Sequence, residues 1–522
     1  MKLNQKRTIL VGFAFFLICA FWQIYDVTIA MTLTNKFGMS QDLSGIVMAL
    51  DNILALFMLP LFGGISDRHK GKHGRRTPFV RTGTILAVVF LMLLSFVDNA
   101  QLSNIEKYAK VNDPATMEVI YDEQKDTLLK TPEGVEYRLA DVFTQEEFSQ
   151  LTTDSETTEL NAFGREVKVN LYTRYVVPAR QACANAASSQ SPTTLILFIC
   201  VLLMLLISMA TFRTPAVALM PDVTIKPLRS KANAIINLMG NAGGIIVLAL
   251  GSVLAISKVK NAYMSYTPVY AIVGGIMLVA LIIFLCTVKE PQWAAQMQED
   301  SKKYGIDENE PAQEADKKRK LSKGEMRSLI FLLASIVLWF FGYNAVTSKY
   351  TVYAQSVLDK DATLTLLLAN AAAIVSYIPV GMVASKIGRK KTIMAGVAML
   401  FIAFLAAAFM NASSPSWLMY IMFCLAGIAW ASINVNSFPM VVELCTGSDV
   451  GKYTGYYYTA SMAAQSLTPY FSGLFMEKVA MTTLFPYAAI FVALAFVTMS
   501  MVKHGDTKVE AKKGLEALDI DD

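Results

Sequence analysis

Few ionisable side chains interrupt the long apolar runs of this 522-residue chain. Each is expensive, because a charge at the centre of a spanning helix costs about 2.5 to 3.5 kcal/mol even on the lenient insertion scale. Asp51 lies about nine residues into the second run, about 14 Å deep at 1.5 Å per residue, and Asp26 lies in the outer third of the first. Arg213 falls about 10 Å short of the end of the fourth. A carboxylate at depth can load and release a proton as its neighbours change, and a guanidinium presents a planar fork of donors. Asp51 is therefore read as the coupling group with Asp26 as its competitor, and Arg213 as a ligand of a polar solute. The plainer reading of Asp51 and Arg213 is a buried ion pair that sets helix register. Lys349, at the end of the seventh run, reads as a lysine snorkelling to the interface. Asp222 and Glu443, at corresponding ends of the fourth and tenth runs, read as partners of loop cations.

Polar side chains also recur at helical spacing. Asn233, Asn237 and Asn241 share one face beside Gly240 and Gly244. Their amides suit sugar hydroxyls, and a small-residue packing face is an equal alternative. Trp339, Tyr343 and Asn344, then Trp430 and Asn434, then Ser461, Gln465 and Thr468 repeat the pattern in later runs. An aromatic face beside amides is what a sugar ring requires.

The elements that must position these groups are membrane helices. The chain is 54% hydrophobic and only 17% charged, with mean hydropathy +0.44, where a soluble domain carries about 25% charged residues. That excludes a solvated globular enzyme, a disordered chain and a disulfide scaffold. The net charge of +5 sits in short clusters beside apolar runs, which points away from nucleic acid. No metal-ligand spacing, cofactor motif or nucleophile–base arrangement is expected. His69, His73 and His504 all fall in polar segments, so none is placed at depth as a proton relay.

The runs predict an all-α integral membrane protein of twelve transmembrane helices in two six-helix bundles. The spans are 8–32, 42–65, 79–97, 193–220, 233–256, 268–288, 328–348, 364–384, 392–410, 416–441, 455–476 and 484–502. With the N-terminus inside, inner segments hold about 31 of the 46 Lys and Arg residues and short outer loops about 6, so both termini are expected in the cytoplasm of a plasma-membrane protein. Residues 1–97 and 192–288 form the expected N-terminal bundle, 98–191 an external insertion, 289–327 a cytoplasmic linker, 328–503 the C-terminal bundle and 504–522 a tail. The insertion, with about 16 acids against 9 bases, alternates like short strands in GVEYRLADV and REVKVNLYTRYVV, with a turn at 132–134.

The halves repeat. GGISDRHKGKHGRRTP (63–78) answers GMVASKIGRKKT (381–392), and RTPAVALMPD (213–222) answers NVNSFPMVVE (434–443). Parallel six-helix repeats are the pattern of major-facilitator transporters. The first loop resembles the signature loop of that superfamily. In its fuller form, together with FRTPAVALMPDVTIKPLRSKANAIINLMGNAGG (212–244), it resembles the glycoside-pentoside-hexuronide cation symporters and the sucrose-proton symporter or SLC45-like group. The resemblance implies the major facilitator fold, a sugar or small glycoside as solute, and a role for Arg213 in binding it. The acidic residues that hold sodium in the melibiose type have no counterpart in helix 2, where the stretch before Pro60 reads ALFML, so a proton is favoured over sodium.

Within the loop motif, Gly63 and Gly64 would let helices approach, and Asp67 would cap a helix or pair with cations. Arg68, Arg75 and Arg76, with Lys386 and Arg389 in the repeat, would face the cytoplasm. Together they would form a gate that latches the halves in one conformation. The expected whole is a secondary transporter, a proton-coupled symporter of a sugar or glycoside working by alternating access. The rivals are an exporter of amphipathic compounds, which would need a mostly apolar cavity, and a membrane sensor or scaffold using the insertion, which would need no charges at depth. A reporter fused after Arg319 is expected on the cytoplasmic side and one inserted near Asp154 outside; a single side for both would refute the twelve-helix topology.

Overall fold

The computed structural model describes residues 3–132, 135–160, 166–256, 258–304, 321–358, 363–411, 414–444 and 449–506. The charge run at 316–320 and most of the tail lie outside the described residues. Among the described residues, twelve helices follow the apolar runs. Helices 1 to 6 are Gln5–Met31, Gln41–Met48 continued by Leu50–Arg68, Thr77–Asn104, Thr193–Asp222, Arg229–Val253 and Thr267–Thr287. Helices 7 to 12 are Lys323–Tyr353, Thr363–Ile387, Arg389–Ala408, Ser416–Glu443, Val450–Lys478 and Leu484–Ser500. Ten are long and apolar enough to cross a membrane. Helix 11 is diluted by its tyrosines, serines and threonines, and helix 12 has only 17 residues, about 26 Å of rise.

Local chemistry sets several ends. Asn4 caps helix 1 by accepting from Arg7 N at 3.1 Å, and Ser40 caps helix 2. Helices 1 and 7 run on into five-residue π-helical turns, Thr32–Lys36 and Ala354–Leu358. Gly74 and Gly388 both take φ of +97° just before helices 3 and 9, a conformation that suits glycine.

The halves meet along two seams, helix 2 against helix 11 and helix 5 against helix 8. Close approach at the first depends on Gly63, where a Cβ would strike Gly451 O, and on Gly455, where one would meet Cα of Pro60 at 2.5 Å. Gly64 faces open space, so the expectation that both glycines serve packing holds for Gly63 alone.

Helix 3 extends to Asn104, so residues 98–104, expected in the insertion, are the last turns of that helix. Strands beyond it are few. Leu129–Lys130 pairs antiparallel with Glu136–Tyr137, and Glu156–Leu160 with Glu166–Asn170. The strand reading fails at Leu139–Val142 and after Asn170, which are helical. The period there is helical because Tyr172, Val176, Ala179 and Cys183 all face one small core with Ile105, Met117, Ile120 and Phe148. The turn expected at 132–134 falls partly outside the described residues.

A buried ion pair pins the insertion's base. Lys36 Nζ lies 2.7 Å from Asp98, with the side chains 0% and 1% exposed, and it also donates to Met264 O and sits over the Tyr266 ring. Gln101 donates to Lys36 O, and Asn185 donates to Gly38 O, where Gly38 at φ +66° lets the Val177–Gln190 helix approach its backbone. Removing one partner of a buried pair strands the other charge, at a cost of about 3 to 5 kcal/mol. Lys36→Met should therefore lower the thermal unfolding temperature of the purified protein clearly, while Lys36→Met with Asp98→Leu should recover most of the loss. Equal destabilisation by both would show that the pair does not hold the base of the insertion.

Candidate functional site

Arg213, on helix 4 two residues before Pro215, is half-buried between two rings. Its guanidinium carbon lies 5.2 Å from the Trp22 centroid and 4.9 Å from that of Tyr458, which clamps it by cation–π attraction from both halves. Among the described residues its buried Nε has no hydrogen-bond partner, and no carboxylate stands within ion-pair distance. Asp51 and Asp26 nonetheless lie within range of its charge and of each other. Asp26 is exposed; Asp51 is half-buried, with Oδ1 buried and without a hydrogen-bond partner among the described residues. Trp22, Asp26, Asp51, Arg213 and Tyr458 thus form a cluster reached from helices 1, 2, 4 and 11.

A second group is assembled by Tyr377 of helix 8, whose hydroxyl is placed against the side chains of Asn241 and Asn434. Tyr343 and Trp430 stack with centroids 3.8 Å apart and planes 4° apart, which presents a two-ring wall in the second half. Gln465 is half-buried on helix 11. Other members of the expected set stand apart. Asn237 donates to Asn233 O within its own helix, and Asn233 donates to Val435 O at 2.7 Å, tying helix 5 to helix 10. Trp339 is fully buried in the core and offers no wall to a solute. Asn344 Nδ2 is buried without a partner among the described residues. Sequence reasoning missed Trp22, Tyr458 and Tyr377. The one signal was Trp22 standing four residues before Asp26, on the same helical face.

The loop-face network is built from the arginine motifs. Arg76 is sealed from water and donates to Ser66 Oγ at 2.5 Å, Asp67 at 2.5 Å and Asp222 at 2.7 Å. Arg75 makes a second contact to Asp222 at 2.6 Å. Glu290, from the segment after helix 6, accepts from the backbone N–H of Arg75, Arg76 and Thr77 and so caps helix 3. Asp67 crosses to the other half, accepting from Gly451 N at 2.8 Å and Lys452 N at 2.9 Å, the first turn of helix 11.

The repeat does the same with different partners. Arg389 donates to Ser230 Oγ at 2.7 Å and to Lys226 O, at the start of helix 5, and pairs with Glu443, which Arg229 approaches to 4.0 Å. Asp506 accepts from Arg389 N at 2.8 Å, as Glu290 does in the first half. Arg68 and Lys386 are exposed and take no part in the network described. Glu290, Asp506 and Ser230 were not foreseen.

Loss of the Asp67 cap should loosen this face without unfolding it. With Thr454, which is buried on helix 11, replaced by cysteine, Asp67→Ala should raise the rate of thiol labelling from the loop face by roughly fivefold, the scale of a lost N-cap of about 1 kcal/mol. Unchanged labelling would show that Asp67 does not hold the halves together.

The Major Facilitator Superfamily profile matches residues 11–105, 181–376 and 361–518 and passes over most of the insertion. No curated protein matches the sequence. Among solved structures, FucP in the outward conformation aligns with TM-score 0.59 at 12% identity, covering 95% of this chain and 98% of that one. The proton:xylose symporter XylE aligns with TM-score 0.58 at 14% identity, covering 98% of each chain. A bacterial homologue of the iron transporter ferroportin, in its outward-facing state, gives 0.59 at 13%, covering 95% and 99%. At such identities these likenesses speak for the fold, and the profile, which spans most of the chain, for the lineage: this multi-pass membrane protein belongs to the major facilitator superfamily.

Proposed function

We propose that the chain is a proton-coupled symporter that moves a sugar or small glycoside by alternating access, in the manner of the glycoside-pentoside-hexuronide and sucrose-proton groups its motifs resemble. The observation that carries this reading is the Arg213 guanidinium, clamped between Trp22 and Tyr458 with donors unspent and Asp26 and Asp51 within charge range. A pyranose has apolar faces for the rings and hydroxyls for the guanidinium and the amides of Asn241 and Asn434. In this reading 1–104 with 192–288 and 323–503 are the two rocking bundles, 105–191 is external, and the linker 289–322 and tail 504–522 lie in the cytoplasm beneath the plasma membrane. The loop face is then the cytoplasmic gate. XylE, a proton:xylose symporter, gives the same fold a precedent for this chemistry.

Asp51 is assigned the proton. A carboxyl whose distance to Arg213 and to water changes between states can take up and release one proton per cycle. Asp26, exposed and nearer the insertion face, suits contact with incoming solute or another charge. A second reading, export of amphipathic compounds, draws on a cavity of about 330 Å³ between helices 1 and 5, walled mainly by Ile24, Val27, Val247 and Leu248.

Uptake by the purified protein in liposomes, with a panel of sugars and an imposed pH or sodium gradient, tests the proposal. Sugar accumulation driven by the pH gradient alone is the expected result. Asp51→Asn should abolish that accumulation and preserve exchange of labelled for unlabelled sugar. Arg213→Lys should lose at least about tenfold in transport, since a point charge does not replace a planar fork. Response to sodium alone, or extrusion of apolar cations with no sugar uptake, would overturn the reading.

A further inference from the structure

We infer that Lys349 is a working residue of the transport cycle, the partner that Asp26 takes up when the insertion face closes. The inference rests on alternating access in the reading above and on nothing about the solute.

Helices 1 and 7 open the two repeats and end alike, each running into a π-helical turn of five residues. Asp26 stands six residues before the first such turn and Lys349 five before the second. On corresponding helices their Cα atoms are therefore at the same depth to within about 2 Å. Their charges are opposite, and neither is matched. Asp26 is exposed, makes no hydrogen bond or ion pair among the described residues, and feels a like charge from Asp51 besides Arg213. Lys349 is half-buried, with its ammonium lying against Gly473 of helix 11, which has no side chain to accept from it. No ion pair or hydrogen bond holds Lys349 among the described residues.

The loop face in this state is closed by Asp67 on helix 11 and by Arg389 on helix 5, whereas helices 1 and 7 share no extensive packing. For the halves to rock, the opposite closure needs contacts of its own that favour it by a comparable free energy. A carboxylate and an ammonium with no ion pair among the described residues, at matched depth on the two helices, supply them, because closure would take both from water and their pairing then favours the closed form. Snorkelling explains how Lys349 is tolerated while the face is open. It leaves unexplained an unmatched carboxylate at the same level of the corresponding helix.

Two measurements on the full-length protein test this. Asp26→Cys with Lys349→Cys should be joined by a short thiol-to-thiol reagent, and the yield should rise severalfold when Asp67→Ala is added to release the loop face. Each single cysteine variant supplies the background from the native thiols. Separately, thiol labelling of Thr347→Cys, exposed in this state, reads how far the insertion face is open. Asp26→Lys and Lys349→Asp should each shift that equilibrium toward the open form by about tenfold or more, and the two together should bring it back toward wild type. A double exchange no better than either single one, with crosslinking at background after the latch is released, would overturn the inference. Because neither readout needs a solute, failure of the sugar panel leaves this result standing. Failure here with sugar uptake intact sinks only the pairing.

Discussion

A guanidinium sealed from water must have its donors met by protein, and Arg76 is that group here. Ser66, Asp67 and Asp222 meet them, and Glu290 fixes the backbone from which Arg76 projects. Asp67 then has a second task, capping helix 11 of the other half. When the halves part, Asp67 can stay with Arg76 while the freed amides of helix 11 turn to water, which satisfies helix N-termini well. The buried core of the network survives and only its outer contact is exchanged. A cap of this kind contributes about 0.5 to 2 kcal/mol, and a second contact between the halves, the charged hydrogen bond from Arg389 to Ser230, is of similar size. Closure held by a few kcal/mol is within what a bound solute can reverse.

The two repeats solve one geometric problem with unlike chemistry. In the first, an acid reaches from the helix 2 end to a helix N-terminus. In the second, an arginine reaches from the start of helix 9 to a hydroxyl and a carbonyl at the start of helix 5. Glu290 and Asp506 are the matching elements, each capping the helix that follows its glycine of φ +97°. Neither belongs to the motif it completes.

That separation explains what was legible in the sequence. Spanning helices announce themselves because a membrane demands unbroken apolar length, and arginine clusters because they sit in short loops beside that length. Helix 11 stands out less by hydropathy because it carries buried polar residues, Thr454, Tyr457, Ser461, Thr468 and Ser472. Glu290 and Asp506 were invisible because their partners lie 215 and 117 residues away, and an acid in a polar segment looks solvated. Trp22, Tyr458 and Tyr377 were hidden for the converse reason. An aromatic in an apolar helix looks like packing, and only the fold shows which ring meets a charge. Trp339 is the converse case, a ring of the expected type that lies wholly in the core.

Among the described residues the insertion is fastened to the first half. Every side-chain hydrogen bond described between it and the helices goes to the first six, through Asn35, Gly38 and Gln101, and its core takes Val259 and Tyr263 from the helix 5–6 connection. A folded unit clamped to one of two rocking bodies behaves like a pointer fixed to a lever. It travels with the first half as a passenger, and a tag or antibody on its surface would report the angle between the halves without touching the solute path.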